Sequence, residues 1–241
     1  MGLLDWLFPS AEQKIATHIR TLTDRDSQPE DREASAHALV ATGEPQALLG
    51  LLSRFDVQLE NQMKDASEKD HVQALALSVG GASMKEPLEA WLKRCRVFAR
   101  PLSMYEDFYG RTEAITIALS VLEVEFIKDD LNKPQKKREM LIWLADNQDD
   151  RLLDEALKFL EDFDEGVRYA AGEVIIAQED DRGRLPLLER FAHTDEDSNR
   201  VKTRWAEIFI SRRWSVKEHE EALAQRPPHG YTVANGLIQK S

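Results

Sequence analysis

The chain has 241 residues, of which 42% are hydrophobic and 32% are charged, a composition typical of a globular, helix-rich protein. Its 32 lysines and arginines against 44 aspartates and glutamates give a formal net charge of −12, which disfavours nucleic acid and anionic membranes as overall partners. No apolar run of about 18 residues is present, which excludes an ordinary membrane-spanning helix, and the single cysteine, Cys95, excludes an internal disulfide.

The first ten residues differ from the rest of the chain. The segment MGLLDWLF has no basic start and no long apolar stretch, so it does not match a secretory signal, and we expect a cytoplasmic protein. Four of its apolar side chains share one helical face: Leu3, Leu4, Leu7 and Phe8. We interpret residues 1–10 as an N-terminal capping segment, with docking on a membrane or partner as the alternative. Ser10-Ala-Glu-Gln13 then predicts the capped start of a first helix.

Apolar segments along the chain end alike, with a leucine followed three residues later by a core-type residue and then by an acidic turn. The endings are Leu52 to Phe55, Leu160 to Phe163 and Leu188 to Phe191, with Leu92 to Cys95 as a variant and Leu122 to Phe126 as a version one residue longer. Successive endings lie 28 to 40 residues apart. Self-similarity at such a spacing indicates a repeat of helix pairs.

The segments that follow the turns also match one another, because each begins with an arginine and continues with small or apolar residues at helical spacing. These arginines are Arg32, Arg111, Arg138 and Arg168. None of the segments alternates polar and apolar residues as a strand does. We therefore predict an all-α chain with a repeat domain over residues 11–225, formed by about five to six helix pairs.

The clearest unit is FDEGVRYAAGEVIIA, residues 163–177. Asp164 is placed to cap the helix that follows it. The small residues Ala170, Ala171 and Gly172 permit a close helix–helix approach, while an apolar stripe faces the core.

Other signals mark breaks between helices and the end of the repeats. The polar stretch 56–70 is interpreted as a loop insertion, Gly80-Gly81 as a helix terminus and Ser215 to Glu218 as a second capping box. Residues 226–241 are interpreted as a C-terminal tail, which forms either a hairpin around Asn235-Gly236 or a frayed end.

Two segments resemble HEAT repeats, in particular the short HEAT-like type of phycobilisome lyase-like proteins. They are Asp164 to Ala171, and Arg32 to Leu48 with its spaced alanines and Gly43-Glu-Pro45 turn. The resemblance covers roughly residues 11–213 and implies a right-handed α-solenoid. It also implies that Arg168 bridges to acidic turns of adjacent units.

We expect no catalytic residues, no metal site and no cofactor. The sequence has no H-E-x-x-H pair, no zinc-type cysteine and histidine spacing, no phosphate-binding glycine loop and no G-x-S-x-G. Its one His-Glu dipeptide, His219-Glu220, lies outside the repeats, unlike the iron-binding dipeptides of HEAT-repeat hydroxylases. Cys95 is flanked by cationic residues that favour a reactive thiolate, but it takes a core position of the repeat, so we interpret it as buried. The many carboxylates of residues 146–165 are interpreted as a solvated face.

Basic residues form three clusters that are candidates for a partner-binding surface. The first holds Lys93, Arg94, Arg96 and Arg100, the second holds Lys133, Lys136, Lys137 and Arg138, and the third holds Arg200, Lys202, Arg204, Arg212 and Arg213 with Trp205 and Trp214 between them. On a concave face they would form a positive groove; in the alternative, they pair with acidic turns of neighbouring units.

From these patterns we expect a non-catalytic scaffold or adaptor that binds a protein partner along a curved surface. Two alternatives follow from the resemblance. One is a nucleic-acid-binding protein with a groove like that of the HEAT-like DNA glycosylases, and the other is a bilin lyase-like protein.

Overall fold

A computed structural model describes residues 10–128 and 134–241, and for residues 126–128 it describes the backbone only. Over these residues the chain contains thirteen α-helices, four short 3₁₀ segments and one two-stranded hairpin, which confirms the predicted all-α class. None of the helices in this part is long and apolar enough to cross a membrane. The predictions for the segment MGLLDWLF, Lys133 and the side chain of Phe126 lie outside the described residues.

The chain divides into two compact units, the first ending at Val121 and the second beginning at Leu122. The first unit holds α1 (Ala11–Thr23), α2 (Pro29–Thr42), α3 (Pro45–Leu52), α4 (Gln62–Val79), α5 (Gly81–Arg94) and α6 (Ala99–Tyr109), and α7 (Arg111–Lys128) crosses the boundary. Within this unit α2 packs against α1, α3 and α4. A 3₁₀ turn, Ser53–Asp56, follows α3.

The helix ends of the first unit follow local sequence rules. Ser10 and Gln13 form the predicted capping box at the start of α1. Pro29 and Pro45 occupy the first turns of α2 and α3, where the missing N–H costs nothing. Gly80, at a φ of 92°, separates α4 from α5 as predicted.

The predicted loop insertion over residues 56–70 is wrong for most of its length. Asn61 caps α4, which begins at Gln62 and continues to Val79. The segment is polar because Asp65 and Glu68 point inward to buried arginines, so its polarity marks an internal ion-pair network within a helix.

The second unit also consists mainly of helices and ends in the two-stranded hairpin. Its elements are α8 (Pro134–Ala145), α9 (Leu152–Leu157), α10 (Glu165–Ala177), α11 (Arg184–Ala192), α12 (Asn199–Arg212), α13 (Glu220–Gln225), β1 (Tyr231–Ala234) and β2 (Leu237–Lys240). Helix α10 packs against α8, α9 and α12. The Asp164 side chain accepts a hydrogen bond from Val167 N at 3.0 Å, which is the predicted cap of α10.

The C-terminal tail forms the hairpin, not the frayed end. Strands β1 and β2 pair antiparallel, and Asn235 and Gly236, at φ of 56° and 73°, give the left-handed pair that a two-residue hairpin turn requires. The hairpin is anchored, since Tyr231 and Ile238 are buried.

The predicted capping box from Ser215 to Glu218 is wrong. The segment forms a 3₁₀ turn, Lys217–His219, and α13 begins only at Glu220. The carboxylate of Glu218 is held instead by Arg184, through hydrogen bonds of 3.0 and 2.6 Å. The Glu218 carboxylate therefore pairs with Arg184 and does not form the predicted helix cap.

The repeated segment endings are not all equivalent. Phe55, Cys95 and Phe191 are buried, as the repeat predicts, but Phe163 is 83% exposed. In that segment the 3₁₀ turn Lys158–Glu161 directs Phe159 and Leu160 into the core. The aromatic residue two positions beyond the turn is consequently left on the surface.

Candidate functional site

A buried cluster of arginines and carboxylates joins α2, the 3₁₀ turn after α3, and α4 of the first unit. Arg32 donates from Nε and Nη2 to the two carboxylate oxygens of Glu68, at 2.9 and 2.7 Å, and from Nη1 to the carbonyl of Ser27. Arg54, fully buried, donates to Asp65 at 2.8 Å and to Glu68 at 3.2 Å. Two guanidinium groups therefore hold one carboxylate, an arrangement we call the arginine clamp.

A second arginine clamp occurs in the second unit. Arg168 donates to the two carboxylate oxygens of Glu196 at 2.8 and 2.9 Å, and to the carbonyl of Phe163 at 3.0 Å. Arg190 lies 3.4 Å from Glu196 and donates to Asp195 at 2.5 Å. Arg168 therefore contacts the acidic turn that follows α11, whereas the resemblance predicted a bridge to acidic turns of adjacent units.

The two clamps belong to a gap-free internal repeat. Residues 32–55 and 168–191 are both 24 residues long, begin with the clamp arginine and end in Leu-Leu-x-Arg-Phe. Each has a residue with positive φ at the same place, Gly43 at 68° and Glu179 at 57°. In each, the first arginine also bonds the carbonyl five residues before it. The second arginine, Arg54 or Arg190, was missed by the sequence reasoning, although the shared pentapeptide carries its signal.

In each clamp, ion pairing shifts the pKa of one group towards its charged form despite burial. Burial disfavours the charged form of Glu68, but its hydrogen bonds and charge interactions with Arg32 and Arg54 outweigh burial and hold its pKa below the ordinary value. Burial likewise opposes the charge of Arg168, and Glu196 nevertheless raises the pKa of that guanidinium. For Glu68 and for Arg168, the shift in pKa therefore favours the charged form.

A groove with a volume of about 880 Å³ opens beside the second clamp. Its lining has four cationic and four anionic side chains and one exposed aromatic ring: Lys137, Lys158, Arg168, Arg190, Glu161, Asp162, Asp195, Asp197 and Phe163. We call it the charged groove. Its mixed charge differs from the positive groove considered from the sequence.

The first basic cluster is paired within its own unit. Arg94 stacks over the ring of Trp91 at 5.0 Å. Arg96 donates to the carbonyl of Asp56 at 3.0 Å, and Arg100 donates to Asp70 at 2.6 Å. Only the contact of Arg96 is with an acidic turn, the kind of pairing that the alternative predicted, because Asp70 lies within α4 and Trp91 is aromatic.

The second cluster is mostly buried. Lys136 donates to Glu125 at 3.1 Å and Lys137 donates to Asp162, with all four side chains nearly inaccessible. Arg138 lies 3.6 Å from Asp164 and stays partly exposed. Lys136 is therefore a core ion-pair residue, whereas Lys137 reaches the lining of the charged groove.

The third cluster combines paired and buried residues. Arg204 binds both carboxylate oxygens of Glu173, at 2.6 and 2.9 Å, and Arg212 donates to the carbonyl of Ile176 at 2.9 Å. Arg213 is exposed at the left-handed C-cap of α12.

Trp205, which we predicted to contact a partner, is fully buried, so a partner cannot reach it on this surface. Its indole lies against Gly172, where an added Cβ would come within 2.5 Å of Nε1. The small residues of α10 therefore allow the close helix–helix approach that was predicted, and this approach explains why Trp205 is buried. The arginine that opens α7, Arg111, is itself exposed, bonds Glu106 at 2.6 Å and is not part of a clamp.

No family model, curated protein or solved structure matches this chain. The HEAT-like character of the chain stays a prediction, supported by its own residues and by the internal repeat.

Proposed function

We propose that the chain is a right-handed α-solenoid of HEAT-like helix pairs that serves as a non-catalytic scaffold or adaptor for a protein partner. The observation that carries the proposal is the 24-residue repeat, whose two arginines lie 22 residues apart in each copy and together hold one carboxylate that follows the repeat. Each clamp ties the start of a helix to a carboxylate beyond its own helix pair. Repeat proteins are stabilised by such neighbour-to-neighbour contacts, and stacking them produces an extended curved surface.

The charged groove is the proposed binding surface. Phe163, 83% exposed at the groove, is an apolar group whose backbone carbonyl is held by the buried Arg168. Exposed aromatic residues are frequent anchors of protein interfaces. The equal number of cationic and anionic side chains suits a protein surface of mixed charge better than a polyanion.

Site-specific photo-crosslinking tests the partner proposal. A photoreactive phenylalanine analogue is placed at position 163, and the same analogue is placed at Ile142, an exposed apolar residue of the same unit, as the matched control. We expect one protein in native lysate to be captured from position 163 and not from 142, with competition by unmodified chain. The same captured set from both positions, or no capture, contradicts the proposal.

Small-angle scattering tests the architecture independently. A compact globular chain of this length has a radius of gyration of about 18 Å. A stacked solenoid is more elongated, so we expect a larger value for the monomer. A value at or below that of a compact globule contradicts the solenoid and leaves the crosslinking result to be judged separately.

A further inference from the structure

Three side chains that the sequence does not place together converge in the first unit. Glu33 and His37 lie one turn apart on α2 and therefore project from the same face. His71 comes from α4, which packs against α2. One ligand atom from each of the three residues lies within 4.8 Å of the other two.

One ring nitrogen of His71 has no hydrogen-bond partner. Nε2 of His71 is buried yet makes no hydrogen bond, and it lies 3.9 Å from Oε1 of Glu33, too far for a hydrogen bond. The ring of His37 stands 5.2 Å away, tilted by 59°. A buried polar nitrogen without a partner is costly in a folded protein, so this atom points to a ligand between the three residues.

We propose that Glu33, His37 and His71 bind a divalent transition-metal ion of the zinc or iron(II) type. Two imidazoles and one carboxylate are ligands that such ions prefer, whereas Mg²⁺ and Ca²⁺ select oxygen ligands. Ligand bonds of about 2.0–2.2 Å require the three atoms to approach one another. This needs only side-chain rotation, because Glu33 and His37 are exposed and His71 is partly exposed.

The electrostatic surroundings are compatible with a bound cation. Two buried guanidinium groups, Arg32 and Arg54, line the same cavity as Glu33 and His71. They are held by Glu68 and Asp65, so their charge is compensated. Glu33 contributes a carboxylate that is part of no arginine clamp.

The site has an open side. Glu33 and His71 line a cavity of about 260 Å³. Three protein ligands leave at least one coordination position free for water or a small molecule, as in catalytic rather than structural zinc sites. The site opens onto this cavity. The proposed metal site does not depend on the scaffold proposal.

Metal titration of the tag-free, full-length chain tests the site. Co²⁺ is added after chelator treatment and followed by its visible absorption, and Zn²⁺ is then used to displace it. We expect one equivalent of Co²⁺ to bind and Zn²⁺ to compete for the same site. Saturating Zn²⁺ should also raise the thermal midpoint, since it binds the folded state.

Variants separate the site from ordinary surface histidines. Glu33→Gln, His37→Ala and His71→Ala should each weaken binding by about 100-fold or more, because loss of a group that only hydrogen-bonds a metal ligand already costs about 10–100-fold. His193→Ala is the matched control, since His193 is exposed and lies 2.5 Å from a carboxylate of Asp195 outside the site; we expect it to bind like the parent.

Two results overturn the proposal. The first is a parent chain that binds Co²⁺ no better than the His37→Ala variant. The second is binding lost equally in the His193→Ala control. Circular dichroism of each variant establishes that it is folded, and the near-isosteric Glu33→Gln keeps the test decisive if His71→Ala unfolds.

Discussion

The clamp of the second unit provides the sharpest test of what stabilises this fold. We consider Arg168→Met, which keeps an unbranched side chain but removes the guanidinium. The substitution deletes two hydrogen bonds to Glu196 and those to the carbonyls of Asp162 and Phe163. Because the side chain of Glu196 is 0% exposed, its carboxylate loses its main partner without gaining water.

The expected loss follows from the contacts that remain. Breaking a buried ion pair by removing one partner typically costs about 3–5 kcal/mol. Glu196 keeps Arg190 at 3.4 Å and the N–H of Ser198 at 3.1 Å. We therefore expect a loss near the lower limit, about 3 kcal/mol. The double variant Arg168→Met with Glu196→Gln should recover part of it, since no unpaired charge is then buried.

Urea unfolding followed by circular dichroism and tryptophan fluorescence measures the effect. The matched control is Arg182→Met, because Arg182 is 63% exposed and pairs with Asp180 at 2.7 Å. Exposed ion pairs contribute little to stability because water and salt screen them, so the control should unfold close to the parent. If the two single variants lose the same stability, the clamp is not the structural element that we describe.

Three further predictions concern packing, acid stability and the nucleic-acid alternative. Replacing Gly172 with leucine places a side chain against the indole of Trp205, where a Cβ alone comes within 2.5 Å of Nε1; we expect a loss of about 1–3 kcal/mol, and an unchanged thermal midpoint would contradict this packing. The pKa of Glu68 is lower in the folded state than its ordinary value of 4.5, so its stabilisation is present above that pH and is lost as the pH falls through the lower folded-state value. Glu68→Gln should therefore flatten the acid limb of a plot of unfolding free energy against pH, and an identical slope would refute the assignment. Because Arg204 is occupied by Glu173, we expect no salt-sensitive binding of a labelled DNA duplex, and binding abolished by Arg204→Glu with Arg213→Glu would favour the nucleic-acid alternative.

Local features of the fold were readable from the sequence because they depend on a few neighbouring residues. Ser10 and Asp164 cap helices through N–H groups three residues away. Gly80 ends a helix through its own backbone conformation, and Asn235-Gly236 forms a turn within the hairpin it joins. The all-α class followed from the same local spacing of apolar residues.

The tertiary structure decided which side chains meet, because this depends on how each helix is rotated against its neighbours. The endings at Phe163 and Phe191 look alike in sequence, yet one ring is exposed and the other buried. Phe163 lies two residues beyond the 3₁₀ turn Lys158–Glu161, whereas Phe191 lies within α11. Lys136 and Trp205 look like surface groups until their partners in space are known. His71 lies 34 residues beyond His37 in the chain, and only the packing of α4 on α2 brings the two imidazoles together.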